Sequence, residues 1–63
     1  MNFCLFVLTC DPSRERYVLE ANGAWEGNFT SLEDAVAYAG TVCAGARLRA
    51  VTPDGEPIME TRV

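Results

Sequence analysis

The stretch from position 3 to position 9, which reads FCLFVLT, is apolar on both sides of the strand that it predicts. Alternate residues of an extended chain point to opposite faces. The two faces of this strand would carry Phe3, Leu5 and Val7, and Cys4, Phe6 and Leu8. A strand with one face in water alternates apolar and polar residues instead. We therefore expect both faces of this strand to be covered, within a chain of only 63 residues.

Two further strands follow, joined by a tight turn. The segment 16–21 alternates in polarity and predicts a half-buried strand antiparallel to the first. The dipeptide Asn22-Gly23 predicts a two-residue hairpin turn. A third strand over 24–29 should then be short or bulged, because Gly27 interrupts it.

A helix is predicted to begin at the segment Thr30-Ser31-Leu32-Glu33. Thr30 would cap the backbone amide of Glu33 while the Glu33 side chain reaches back, which is a capping box. The helix should end near Ala44-Gly45, with Gly45 as the glycine beyond its last turn. Its core-facing stripe, at helical spacing, consists of Leu32, Ala35, Val36, Ala39 and Cys43.

The C-terminal third predicts a second hairpin. A strand over 46–52 leads into the turn Thr52-Pro53-Asp54-Gly55 and a last strand over 58–63. Pro57 cannot donate a ladder hydrogen bond, so this last strand should lie at the sheet edge. We expect one small α+β domain spanning residues 1–63, in the order β-β-(β)-α-β-β, with an antiparallel sheet and one helix packed on one face.

Charge and composition exclude several functions. The net charge is −4 and all five basic residues are arginines. Nucleic-acid binders normally carry a basic patch, so we do not expect this chain to bind nucleic acid. The chain contains no histidine, so Ser-His-Asp and Cys-His catalysis are excluded within one chain. The apolar start is shorter than the roughly 20 residues of a membrane span and lacks the basic region of a signal peptide. We expect a cytoplasmic protein with no membrane association, catalytic residue or cofactor.

The chain contains three cysteines, Cys4, Cys10 and Cys43, which cannot all pair within one chain. Cys4 and Cys10 would lie roughly 20 Å apart along a strand, too far to form a disulfide or share a metal ion. Cys43 could approach either of them by folding. We expect three small buried apolar residues in a reducing compartment, and no metal site. A reactive cysteine is the one enzymatic alternative.

Two groups of side chains are candidates for binding. Arg47 and Arg49 share one face of a strand and, with Arg62 nearby, could hold a carboxylate or phosphate. The alternative is that they pair with Glu60 or Glu20 across strands. Trp25 follows a turn, where it is either a core residue or the anchor of an interface.

After Asp34 the predicted helix carries no charge, whereas a monomer would show a polar outer face. Together with the doubly apolar first strand, this predicts a self-associating, homo-oligomeric interaction module, with a further protein partner as a possibility. The predicted interface residues are Phe6, Trp25, Tyr38, Val42, Arg47 and Arg49. The alternative function is a small ligand- or antitoxin-type binding protein that uses the region of Trp25, Arg47 and Arg49.

The segment from Asn22-Gly23-Ala24-Trp25 to the helix start, with the later Asp54-Gly55 turn, resembles small bacterial strand–helix–strand domains of unknown function. This resemblance covers about residues 16–63 and rests on a Gly-Trp turn, a capped helix start and a final Asp-Gly hairpin. The helix start Ser31-Leu32-Glu33-Asp34-Ala35 also resembles that of the HicB-like antitoxin domain, which implies a binding role. Neither resemblance implies catalytic residues.

Overall fold

A computed structural model describes residues 4–63, which form a small α+β fold of one helix and a five-stranded sheet. The elements in chain order are β1 (Leu5–Asp11), a 3-10 turn (Pro12–Arg14), β2 (Arg16–Ala21), β3 (Ala24–Phe29), α1 (Leu32–Val42), β4 (Arg47–Val51) and β5 (Pro57–Arg62). This order of strands and helix is the predicted one. Phe3, the first residue of the predicted opening strand, lies outside the described residues.

The sheet is mixed, with the strand order β3-β2-β1-β4-β5. The prediction of a wholly antiparallel sheet is wrong at one pairing, because β1 and β4 are parallel. Strands β1 to β3 alternate in direction through their hairpins, and α1 then carries the chain back toward the end where β3 began. β4 consequently runs the same way as β1, and it pairs there instead of with β3.

The core lies on one side of the sheet. Phe6 and Leu8 of β1 are completely buried and form one cluster with side chains from β2, β4 and the helix. The helix contributes Ala35 and Ala39, whose small side chains allow close approach to the strands. The prediction that Phe6 belongs to an interface is therefore wrong, since its side chain is 0% exposed in the core.

The start of α1 differs by one residue from the predicted one. Ser31, in an extended conformation, is the N-cap, and its hydroxyl accepts a hydrogen bond of 3.1 Å from the amide of Asp34. Thr30 is therefore not the capping residue. Leu32 of the predicted stripe is 36% exposed, whereas Ala35 and Ala39 are buried and Val36 is half-buried.

The turns follow the local sequence closely. Asn22 and Gly23 both have positive φ, at 52° and 84°, as a type I′ hairpin turn requires. Gly55 donates a 2.8 Å hydrogen bond to the carbonyl of Thr52, which closes the second predicted turn. The irregularity expected in the third strand is a bulge in the pairing of β2 with β3, between Leu19 and Glu20. The last strand, β5, lies at the edge of the sheet as predicted.

Candidate interface on the open face of the sheet

The sheet face opposite the core, called the open face below, carries Leu5, Val7 and Thr9 of β1. These residues alternate with the buried Phe6 and Leu8, so they point away from the helix. Each is half-buried, because longer side chains on the neighbouring strands flank it. The centre of the open face is therefore an apolar strip without a second structural layer in the described part of the chain.

A row of paired residues crosses all five strands through Val7. Val7 pairs with Glu20 on β2 and with Arg49 on β4. Glu20 in turn pairs with Trp25 on β3, and Arg49 pairs with Glu60 on β5. Paired residues of adjacent strands point to the same face. The open face thus has a negative side chain on one side of Val7 and a positive one on the other.

A second row, one step along the strands, is apolar on both sides. Thr9 pairs with Val18 on β2 and with Val51 on β4, and both valines are half-buried. A shallow depression of about 740 Å³ lies beside Val51, between Val7 and Pro57. This part of the open face offers apolar surface, with Arg49 and Glu60 as charged residues in the wall of the depression.

The two arginines of β4 share one acid. Arg47 Nε lies 3.8 Å from Glu60 Oε2, and Arg49 Nε lies 3.4 Å from Glu60 Oε1. The prediction that they pair with an acid across strands is confirmed for Glu60. About half of each guanidinium side chain remains exposed, so these pairs contribute little stability. Glu20 has no ion pair among residues 4–63.

Trp25 lies on the open face, far from the arginines. Its side chain is 65% exposed, and its indole N–H donates a 2.9 Å hydrogen bond to Oδ1 of Asn28. The core position considered for Trp25 is therefore wrong. Strands β2 and β1 separate it from Arg47 and Arg49, a distance of about 14 Å across the sheet. The structure does not bring these three residues together around one small ligand.

Tyr38 and Val42 lie on the helix instead of the open face. The Tyr38 hydroxyl donates to Glu26 Oε1 at 3.2 Å, and its ring centroid lies 5.3 Å from that of Phe29. Val42 is 46% exposed. Of the six predicted interface residues, the open face carries Trp25, Arg47 and Arg49, the helix carries Tyr38 and Val42, and the core contains Phe6.

The cysteines occupy two different environments. Cys10 is buried, its thiol lies 3.6 Å from the Leu8 carbonyl oxygen, to which it donates, and burial raises its pKa. Cys4 and Cys43 are half-buried and line one cavity of about 460 Å³. A hydrogen bond with the Cys43 thiol is the main cause that raises the pKa of Cys4, followed by burial. The expectation that all three are buried holds only for Cys10.

Sequence reasoning did not identify the pairing of Cys4 with Cys43. The sequence does show that Cys4 directly precedes β1 and that Cys43 ends α1 shortly before β4. It does not show that β1 and β4 are parallel neighbours, which is what brings the two cysteines to the same end of the sheet.

Within residues 4–63, no cluster of three or more acidic or cysteine side chains could bind a metal ion. No helix in this range is both long and apolar enough to cross a membrane. No protein-family model matches the sequence, and comparison with curated proteins and with solved structures yields no significant match.

Proposed function

We propose that this chain is a self-associating interaction module in which two copies pack open face against open face. The observation that carries the proposal is the placement of Glu20 and Arg49 on either side of Val7. A two-fold interface brings a surface against its own rotated copy, so it requires self-complementarity. Opposite charges on the two sides of a central apolar strip meet this requirement.

The charges favour one direction for the two-fold axis. An axis parallel to β1 places β2 of one copy over β4 of the other, so that Glu20 faces Arg49 of the second copy. An axis across the strands would place β2 over β2 and set Glu20 against Glu20. Facing like charges cost several kcal/mol at an interface. The axis parallel to β1 is therefore the arrangement that we propose.

The apolar row supports the same arrangement. With the axis parallel to β1, Val18 of one copy faces Val51 of the other, and Val7 lies close to its symmetry mate. Sheets that pack face to face lie about 10 Å apart, with strands aligned to within about 30°. Removing these half-buried side chains from water contributes roughly 25 cal/mol per Å² of apolar surface.

The size of the chain gives a physical reason for association. A domain of 63 residues buries only about 60% of the surface that its unfolded chain exposes. Within the described residues a single helix of 11 residues provides the second layer, on the core side. A second copy packed on the open face would cover that face as a third layer, without requiring a longer chain.

Two charge reversals test the arrangement. Glu20→Arg alone sets arginine against Arg49 of the second copy, and Arg49→Glu alone sets glutamate against Glu20. Each variant should therefore self-associate at least ten-fold more weakly than the natural chain. In an equimolar mixture, one chain carries two arginines and the other two glutamates at these positions. The mixture should form a heterodimer, measured as solution mass by size exclusion with light scattering.

Glu56→Arg is the matched control, because it makes the same charge change in the exposed turn between β4 and β5. It should leave self-association unchanged. A natural chain that stays monomeric at tens of micromolar would contradict the proposal. So would reversal variants that dimerise as tightly as the natural chain, or a mixture that stays monomeric.

A further inference from the structure

The two half-buried cysteines lie at the same end of the fold, although 39 positions separate them in the sequence. Cys4 directly precedes β1, and Cys43 caps the end of α1 shortly before β4. β1 and β4 are parallel neighbours that begin side by side, with Leu5 paired to Arg47. The chain segments that lead into these two strands therefore converge, and they bring both cysteines to one place.

The two thiols are close enough to interact and accessible enough to react. Both line the same cavity of about 460 Å³ at this end of the sheet, where the Cys43 thiol also raises the pKa of Cys4. Both also pack against the core cluster with part of their surface. The pair is thus held in place by packing, while its cavity is wide enough for a small reagent.

We propose that Cys4 and Cys43 form a reversible dithiol–disulfide pair whose reaction partner is a small anionic disulfide of the glutathione class. This proposal does not rest on the proposed open-face interface, although Arg47 belongs to both surfaces. Disulfides that form in reducing compartments are usually transient and catalytic or redox-sensing.

The reaction requires two exchanges. One cysteine loses its proton, and its thiolate attacks a sulfur of the small disulfide, which breaks the S–S bond and releases one small thiolate. That thiolate takes up a proton, and a mixed disulfide remains on the protein. The second cysteine then deprotonates and attacks the protein sulfur, which releases the second small thiol. Two electrons pass from the cysteine pair to the small disulfide, which becomes two thiols.

The charge of the cavity favours an anionic reagent. Arg62 and Arg47 also line it. Arg47 is shared with Glu60 at 3.8 Å, whereas the Arg62 guanidinium is held by a 3.1 Å hydrogen bond from Nη1 to the Gly45 carbonyl. Carboxylates of a peptide disulfide are suitable partners for guanidinium groups. A neutral disulfide of similar size would lack this attraction.

Cys10 provides an internal control. Its side chain is only 6% exposed and belongs to the core, and its thiol donates to the Leu8 carbonyl. We therefore expect it to stay reduced while Cys4 and Cys43 react.

The first test treats the natural chain and the Cys10→Ser variant with oxidised glutathione under native conditions, followed by mass spectrometry. Both proteins should lose two hydrogens as monomers, and reduced glutathione should restore them. Cys4→Ser and Cys43→Ser should each stop at the glutathione adduct. Free thiols in excess oxidised glutathione, or only disulfide-linked dimers, would overturn the proposal.

The second test concerns stability and the choice of reagent. The internal disulfide closes a loop of about 40 residues, which should raise the melting temperature of Cys10→Ser by roughly 15–30 °C. An unchanged melting temperature would show that the disulfide does not bridge the native pair.

Arg62→Gln should slow the reaction with oxidised glutathione several-fold but not that with hydroxyethyl disulfide. Equal slowing of both would contradict the anionic preference.

Discussion

Gly40 of α1 faces Val63, with room for one methyl group between them: a Cβ added at Gly40 would lie 3.7 Å from the carbonyl carbon of Val63 and 4.0 Å from its Cβ. These are ordinary van der Waals distances, so an alanine fits without displacing its neighbour. Glycine inside a helix costs about 1 kcal/mol relative to alanine. Gly40→Ala should therefore stabilise the fold by about 1 kcal/mol, measured by urea unfolding at one fixed protein concentration.

Gly27→Ala is the matched control for this substitution. A Cβ at Gly27 would lie 3.3 Å from two ring carbons of Phe29, which is a tight contact. The ring must shift to accept it, so this variant should gain no stability. Equal stabilisation by both substitutions would show that the contact at Gly27 is looser than the structure indicates.

The cap of α1 gives a second prediction. The Ser31 hydroxyl accepts the amide hydrogen bond of Asp34, so Ser31→Ala should cost about 1 kcal/mol of stability. Thr30→Ala should cost much less, because Ser31 and not Thr30 is the N-cap. Thermal unfolding followed by circular dichroism distinguishes the two. A larger loss for Thr30→Ala would mean that the helix begins where the sequence first suggested.

Alanine substitutions at Phe6 and Val7, which are neighbours on β1, should have opposite effects on folding and on self-association. Phe6 is fully buried in the core, so Phe6→Ala should cost about 3–5 kcal/mol, enough to unfold most small domains. Val7 lies half-buried on the open face, so Val7→Ala should leave the fold intact while weakening the proposed dimer. Circular dichroism and solution mass separate these effects. A folded Phe6→Ala variant with reduced self-association would instead place Phe6 in the interface.

Local features of the fold could be predicted from the sequence, because neighbouring residues determine them. The strand over 16–21 and the turn at Asn22-Gly23 have the predicted bounds, since alternation and positive φ leave few alternatives. The predicted helix start is wrong by one residue, because Thr30 and Ser31 both have a side chain that can cap and the prediction named Thr30. Only backbone geometry distinguishes them.

The direction of β4 and the site at its start could not be predicted, because they depend on contacts distant in sequence. The residues of the segment 47–51 do not indicate whether this strand pairs with β1 or with β3, or whether that pairing is parallel or antiparallel. That single pairing places Arg49 next to Val7 and brings Cys4 and Cys43 to one cavity. The doubly apolar first strand did predict a second surface, but the side of β1 that the helix covers required the structure.

The ionisable groups Tyr38, Cys4 and Cys10 predict a loss of stability at alkaline pH. The hydrogen bond to Glu26, followed by the charge of that residue, raises the pKa of Tyr38 above its ordinary value of 10.0. Contact with Cys43 and burial raise the pKa of Cys4, and burial raises that of Cys10, above the ordinary 9.0. The native state therefore keeps these protons to higher pH than the unfolded chain does.

The sign follows from this difference in proton binding. Up to about pH 8 the groups are neutral in both states, and their contribution to stability is fully present. As the pH rises through the ordinary values, the unfolded chain ionises first, so the free energy of unfolding should fall from about pH 8 upward. Urea unfolding at a series of pH values measures this decline. A constant unfolding midpoint into the alkaline range would contradict it.

Tyr38 can be isolated within this effect by combining two substitutions. Tyr17→Phe leaves Tyr38 as the one tyrosine, so ultraviolet titration then reports the ionisation of its phenol alone. Adding Glu26→Gln removes the negative charge beside the phenol and replaces the carboxylate that accepts its hydrogen bond with a neutral amide. The phenol of the double variant should titrate at lower pH than that of Tyr17→Phe. Identical titration curves would show that Glu26 does not hold the Tyr38 proton.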